Sequence, residues 1–373
     1  MSRWRYLNDD GAGAGEGLAL DEALMAPHAR TAEPSSPVLR LYTYASHAAL
    51  CGRFQHLEAE IDLDACRRTA TSFNRRPTGG GAIVMGEGQL GVAVAMRAPA
   101  QERPKAILLK FSEGVVAGLA KLGIAASFGG KNDLKVDGRK IAGLGLYLDG
   151  QGGLLFHASV LADLDVPFML EVLDIPAAKL GDTAVAAVES RVTTVSREIG
   201  EPWNGAMLRE PVALGFTEAL GIDLESDEPT ADEKTAAGAL VVGKYSSEEW
   251  LFSRTPHSDA TATSLLKTPA GLVRLYVALQ GDTIKSALFT GDFNDIPLPI
   301  LQFESELKWS RLDRADLEAI ASRSLAEGTG LQIEPEVLVD AVLDAGSRAR
   351  TREAVSAPAR DGSCYFPEKG VSR

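Results

Sequence analysis

Arg75-Arg76-Pro77-Thr78-Gly79-Gly80-Gly81-Ala82-Ile83-Val84 is the stretch on which the reading of this chain turns. Three consecutive glycines ahead of an apolar, β-branched run are costly in backbone entropy. They make sense where main-chain N–H groups must approach a ligand with no Cβ in the way. Two arginines beside them offer forked donors suited to phosphate or carboxylate. The same residues also suit a glycine-rich turn with surface arginines. The stretch by itself leaves both readings open.

Working outward, Ala82–Met85 and Leu90–Met96 are apolar runs bounded by glycine and predict strands. Upstream, Val38–Tyr44 alternates Leu39, Leu41 and Thr43 against Arg40, Tyr42 and Tyr44, a strand period. Asp62–Thr71 predicts a short helix, and Glu16–His28 another, with Leu20 and Leu24 on one face. Residues 1–15 predict a short entry segment with a flexible Gly-Ala stretch. Downstream, Leu108, Phe111, Val115, Leu119 and Leu122 recur at helical spacing within Lys105–Leu122. Asp137-Gly138 and Asp149-Gly150 predict tight turns between strands, because such turns need positive φ. Met207–Leu220 is helical again.

The strand-rich block holds two more candidates. Lys131-Asn132-Asp133-Leu134 is followed by Gly138-Arg139-Lys140-Ile141-Ala142-Gly143. Lys140 sits on a predicted strand between glycines, where a lysine can point inward beside a closely approaching backbone. An exposed strand lysine is the plainer reading. Asn132-Asp133 also suits a turn or cap, and His157 in Phe156–Leu161 also suits a structural histidine.

Composition sets the outer bounds. The chain has 373 residues, 37 of them glycine, with 38 basic against 51 acidic residues and a net charge of −13. That length predicts about two domains. The acidic balance argues against a duplex nucleic-acid binder, which needs a basic footprint, and against bulk-charge docking on anionic membrane. The three cysteines, Cys51, Cys66 and Cys364, have no zinc or disulfide spacing, which fits a reducing compartment. The start lacks an apolar signal segment, and no run approaches the length of a membrane span. The expectation is a cytoplasmic protein. No Walker loop, dinucleotide fingerprint, nucleophile elbow or zincin spacing is present. Polar stretches at Asp223–Lys234 and Arg254–Thr263 mark shifts in character. They predict a domain over 1–253, a smaller one over 260–352 and a mobile tail over 353–373. Within the smaller one, Leu272–Leu279 and Thr283–Thr290 predict a hairpin, followed by helices near 297–308, 313–325 and 335–350.

In this order the blocks resemble lipoate–protein ligase A, within the wider group of lipoyl/octanoyl transferases and biotin ligases. The resemblance rests on Ala19–Leu24, on Gly52-Arg53-Phe54-Gln55, on 75–83, on Asn132–Leu134 with Gly138–Gly143, and more loosely on His157–Leu161. Ser190–Thr193 and Ser247–Trp250 extend it, so that it covers roughly residues 1–330. It implies an α+β fold: mixed sheets flanked by helices, with a small α+β C-terminal domain. It implies activation of lipoate or octanoate by ATP with Mg²⁺, giving an acyl-adenylate. The acyl group then passes to a lysine of a lipoyl-domain or other carrier protein, without nucleic acid or membrane. The essential lysine falls on Lys140. Arg75, Arg76, Thr78, Gly79, Gly80, Gly81, Ala82, Ile83, Val84, Asn132, Asp133 and His157 fall on the ATP and lipoyl-AMP site. The acyl tunnel is expected along Leu41, Val84 and Leu146.

The chain departs from the pattern where the family continues His-Asp-Leu-Gly-Asn. Here the stretch is Met85-Gly86-Glu87-Gly88-Gln89, and Glu87 is the available carboxylate. Two further readings compete. An octanoyltransferase of the same fold skips ATP and forms a thioester on a cysteine near the lysine block, yet no cysteine lies between Cys66 and Cys364. A non-catalytic binder of lipoylated carrier is the other, and Lys140 argues against it. Local recognition of the carrier is expected from Lys105, Lys110 and Lys121 on one helix. The tail holds Cys364-Tyr365-Phe366, which a plain spacer does not need. If it docks on the catalytic domain or the carrier, deleting 356–373 changes turnover; kinetics identical to the full chain refute the docking.

Overall fold

The structure is a computed structural model that describes residues 2–30, 35–174, 184–260 and 262–356. Two compact units emerge, Met1–Ser253 and Arg254–Arg373.

The described residues of the first unit form eleven strands: β1 Ser2–Ala12, β2 Val38–Tyr44, β3 Ala48–Cys51, β4 Ser72–Arg75, β5 Ile83–Met85, β6 Gln89–Arg97, β7 Ser127–Gly129, β8 Asp133–Val136, β9 Arg139–Leu148, β10 Gly153–Leu161 and β11 Ile222–Ser226. Eight form one mixed sheet in the order β11-β1-β2-β6-β10-β9-β8-β7. The remaining three form a small sheet, β4-β3-β5. Helices α1 (Ala14–Arg30), α2 (Leu63–Arg68) and α3 (Pro104–Ala120) flank them. This is an α+β architecture of mixed sheets and helices.

The strand period of Val38–Tyr44 holds, but its meaning differs from the simple in-and-out pattern. All seven residues are buried. Leu39 and Leu41 join a core with Phe111 and Val115 of α3, while Val38, Tyr42 and Tyr44 join a second core with Leu18 and Leu24 of α1. A central strand covered on both faces keeps the period and loses the polar face. Arg40 is therefore wholly buried.

Both Asp-Gly turns form as expected. Asp137 and Gly138 carry φ of 49° and 80°, which matches the twist of the flanking strands β8 and β9. On the far face, α3 crosses the helix Arg209–Leu220 closely enough that a Cβ on Gly215 would stand 2.3 Å from the Gly118 nitrogen.

One expectation is corrected. Residues 1–15 are not an entry segment with a flexible stretch: Ser2–Ala12 is β1, paired in parallel with both β2 and β11. The polar stretch 223–234 is the edge strand β11 followed by a helix over Ala231–Leu240. Its polarity reflects a solvent-facing edge and a cap. Thr230 accepts from Glu233 N–H at 3.2 Å, while the Glu233 carboxylate accepts from Thr230 N–H at 2.7 Å. Glu233 also pairs with Arg5 of β1 at 2.5 Å, tying the helix to the sheet.

The second unit is a three-stranded antiparallel sheet of β12 (Ala262–Thr268), β13 (Gly271–Gln280) and β14 (Thr283–Gly291). Helices Leu298–Leu307, Arg314–Ser324 and Pro335–Ser356 follow. Strand β12 lies partly in the polar segment read as a boundary. The last helix runs on to Ser356, past the expected start of a tail at 353. Residues 357–373, Cys364 among them, lie outside the described residues.

Replacing Thr230 with alanine removes the helix cap and should cost about 1 kcal/mol. A lowered denaturation midpoint for the first unit checks it, and an unmoved midpoint refutes the role of the cap.

Candidate functional site

The glycine stretch loops between β4 and β5 and rests on the turn Gly52–Gln55. Contact there is so close that a Cβ on Gly52 would stand 1.9 Å from the Gly80 carbonyl oxygen. Gly80 itself has φ of 91°, which glycine adopts without strain. Arg53 N–H donates to the Thr78 carbonyl at 3.0 Å, locking the two turns together.

The two arginines divide in role. Arg75 is wholly buried, and its guanidinium donates to the carbonyls of Gly52, Arg53 and Gln55 at 2.7–2.9 Å and of Leu251 at 2.8 Å. The expectation that Arg75 holds phosphate or carboxylate is corrected: its donors face main chain. Arg76 lines the pocket. It donates to Leu50, Gly79 and Gly81 carbonyls at 2.6–2.9 Å and to the Thr78 hydroxyl at 3.1 Å. Among the described residues no carboxylate pairs with it. Burial pushes its guanidinium down to about 10. A cation so placed favours an anionic ligand.

Lys140 is held by its own backbone. Its N–H donates to the Arg191 carbonyl and its carbonyl accepts from Thr193 N–H, both at 2.8 Å. Its Nζ meets the Asp133 carboxylate at 2.8 Å. Gly143 leaves room for it: a Cβ there would stand 3.0 Å from Nζ. Asn132 donates from its amide to the Leu144 carbonyl at 2.9 Å, which pins β8 to β9.

Between these groups lies a pocket of about 200 Å³. Arg76, Thr78, Gly79, Gly80, Gly81, Ala82, Ile83, Val84, Asn132, Lys140 and His157 all line it. Asp133 enters through Lys140. The expected tunnel walls are corrected in part. Val84 lines the pocket, whereas Leu41 and Leu146 pack with the core on the α3 side. Leu18, Tyr42, Leu50, Leu144 and Met169 supply apolar wall instead. Glu87 is exposed and does not line the pocket. At the departure from the family pattern, Met85 sulfur accepts from the Ser159 hydroxyl at 2.9 Å.

Sequence reading missed the support behind His157. Its Nε2 lies 2.9 Å from Asp21, and Asp21 lies 2.7 Å from Arg40, which also reaches Asp9 at 2.5 Å. Burial is the largest influence on Asp21 and pushes its carboxyl up. Arg40 and His157 together outweigh it and hold the carboxyl below its usual range. The available signals were Asp21 within the Ala19–Leu24 block and an arginine inside a strand otherwise read as apolar and aromatic.

The helix α3 does not offer three free cations. Lys110 pairs with Glu102 at 3.5 Å and Lys121 with Glu218 at 2.6 Å. Among the described residues no group of three or more His, Cys, Asp or Glu is placed to hold a metal ion.

Known proteins share sequence and fold with much of this chain. The family model for the lipoyl protein ligase A/B catalytic domain matches residues 14–217. Octanoyltransferase LipM of Symbiobacterium thermophilum is 30% identical over 274 residues, 67% of this chain and 98% of that protein. The bi-partite lipoate protein ligase of Thermoplasma acidophilum, studied with its E2 lipoyl domain, is 28% identical with a TM-score of 0.61. It covers 69% of this chain and 99% of that one. A lipoate-protein ligase A bound with ATP is 27% identical with a TM-score of 0.59, over 68% of this chain and 99% of its own.

Gly52→Ala places a methyl group against the Gly80 carbonyl. It should cost about 1–3 kcal/mol of stability and weaken carboxylate binding by about tenfold or more. Calorimetric titration with an eight-carbon acid checks it; wild-type affinity in a folded variant refutes the dependence of the loop on this contact.

Proposed function

The chain belongs to the lipoyl protein ligase A/B catalytic domain family, and on that footing we propose that it activates lipoate or octanoate with ATP and transfers the acyl group to a lysine of a carrier protein. The carrying observation is a pocket that presents Lys140 and Arg76, which has no carboxylate partner among the described residues, beside a glycine loop, with no cysteine among its described lining residues.

The chemistry follows from charge. The acid's carboxylate oxygen attacks the α-phosphorus of ATP, and pyrophosphate leaves with the electron pair of the broken P–O bond. Negative charge grows on the phosphoryl oxygens, where the Lys140 ammonium and the loop N–H groups stabilise it. Arg76 holds the anionic acid or phosphate. The carrier lysine, as free amine, then attacks the acyl carbonyl. AMP leaves with the electron pair of the C–O bond, and the nitrogen loses its proton. A magnesium ion would find Asp133 as its protein carboxylate here, with phosphate and water completing its shell, and would neutralise phosphate charge. The Thermoplasma acidophilum ligase, studied with an E2 lipoyl domain, supports a lipoyl-type carrier as partner.

A second reading is ATP-independent octanoyl transfer. The similarity to LipM favours it, and so does Met85-Gly86 where the resemblance expects His-Asp. It needs an accessible thiolate. Cys51 is wholly buried and burial pushes its thiol up to about 12; Cys66 is buried and pushed up to about 11. Both stay protonated thiols near neutral pH.

One assay separates the readings. Wild-type protein and a cysteine-free variant (C51A, C66A, C364A) are incubated with apo carrier and acid, with and without ATP and magnesium. The expected result is pyrophosphate release and carrier acylation only with ATP, kept in the cysteine-free variant and lowered at least about 10³-fold in Lys140→Ala. Acylation from an octanoyl-carrier thioester without ATP, lost in the cysteine-free variant, would overturn the ligase reading and establish the second.

A further inference from the structure

Regular strand alternation would keep Lys140 out of the pocket. Gly143 and Gly145 of β9 line it, and a residue three before Gly143 falls on the opposite face of a regular strand. A bulge removes the conflict. Leu134 of β8 stands opposite Ala142, but its neighbour Lys135 stands opposite Lys140, so Ile141 is an extra residue on β9. Ile141 and Ala142 both pack into the core on the α3 side. Lys140 thereby joins Gly143 on the pocket face, where a Cβ on Gly143 would stand 3.0 Å from its Nζ. An inserted residue of this kind re-aims a side chain and interrupts the ladder around it.

The interrupted backbone is held from beside the strand. Pairing of β9 with β10 ends at Ala142 and Val160. Past that point the segment Arg191–Thr193 takes the edge. Lys140 N–H donates to the Arg191 carbonyl and Thr193 N–H donates to the Lys140 carbonyl, both at 2.8 Å, in an isolated bridge between Lys140 and Val192. So short a contact has little hold of its own, and side chains fix it. Glu198, on the short helix Val195–Ile199, accepts from the buried Thr193 hydroxyl. The same carboxylate oxygen accepts from Arg139 at 2.9 Å. One carboxylate therefore joins the clamp to the residue next to Lys140 on β9. Ser196 moors the same helix to the end of β10: its N–H and hydroxyl donate to the Ala162 carbonyl at 2.9 and 3.0 Å.

We infer that Glu198 is a positioning residue for Lys140: through Thr193 and Arg139 it holds the clamp that keeps the bulge, and with it the ammonium, on the pocket face. Misplacing a reacting group by about 1 Å costs about 10²-fold in rate, so a brace of this kind bears directly on turnover. The part played by Lys140 in the reaction rests on the function proposed above; the bulge and its clamp do not.

Two measurements on the full chain test it. The first needs no substrate: acetylation of Lys140 by acetic anhydride, read by mass spectrometry against Lys121. Glu198→Ala should raise the ratio of Lys140 to Lys121 labelling at least about threefold as the clamp opens. A wild-type ratio in the folded variant overturns the inference. The second is a double-substitution cycle on the affinity for octanoyl-sulfamoyl adenosine, a non-hydrolysable acyl-adenylate analogue, by calorimetric titration. Glu198→Ala should weaken binding at least about tenfold in the wild-type background. It should weaken it less than about twofold where Lys140 is already alanine. Equal weakening in both backgrounds makes Glu198 a stabiliser of the fold alone and also overturns the inference. Thermal melts check folding. If Glu198→Ala does not fold, Thr193→Val, which removes only the hydroxyl bond to Glu198, takes its place in both measurements. Wild-type protein that neither binds the analogue nor releases pyrophosphate removes the ligase reading instead, while the labelling ratio still decides whether Glu198 holds Lys140.

Discussion

Two buried guanidinium groups bonded to main-chain carbonyls hold the site together. Arg75 gathers the carbonyls of the Gly52–Gln55 turn and of Leu251 around one centre. Arg76 does the same for Leu50, Gly79 and Gly81. Each hydrogen bond to a charged donor is worth about 1.5–3 kcal/mol. Arg76 has no carboxylate to share its charge with among the described residues, so the carbonyl dipoles stand in for one. The glycine loop can lie against Gly52 only because these bonds draw both turns inward and no Cβ opposes them.

The two sites of positive charge in the pocket differ in what surrounds them. Lys140 has a carboxylate at 2.8 Å and is about a third exposed, so it can exchange Asp133 for an anionic ligand oxygen. Arg76 is nearly enclosed and is bonded to carbonyls and the Thr78 hydroxyl; burial lowers its hold on its proton, and no carboxylate among the described residues offsets its charge. Fixed dipoles and a rigid cation need no reorganisation when charge develops, which is the physical basis of their stabilising effect.

At the other end the same sheet carries a different kind of order. Asp9, Arg40, Asp21 and His157 form a chain of charged and polar contacts between α1 and three strands. Arg40 lies on a strand buried on both faces, and its partners come from β1 and α1. The departure at Met85 is absorbed locally: its sulfur meets Ser159. The family's polar pair is replaced by a thioether contact on the wall beside Lys140.

Local patterns decided much of this protein in advance. The Asp-Gly turns, the α3 periodicity and the glycine run are properties of neighbouring residues, and they appear where spacing placed them. So do Lys140 and Arg76 in the pocket, although an exposed strand lysine and a surface arginine suited the same spacing. Tertiary structure decided what depends on distant partners. Arg75 looks like Arg76 in sequence, but carbonyls from Leu251 claim it. Ser2–Ala12 reads as loose polar chain, yet β2 and β11 arrive on both sides and make it a strand. Leu41 and Leu146 were apolar enough for a tunnel, but the sheet turns them to the α3 side. Asp21 gains its place only when α1 packs over β10. A side chain's neighbours along the chain set its local geometry; its neighbours across the fold set its charge, its burial and its use.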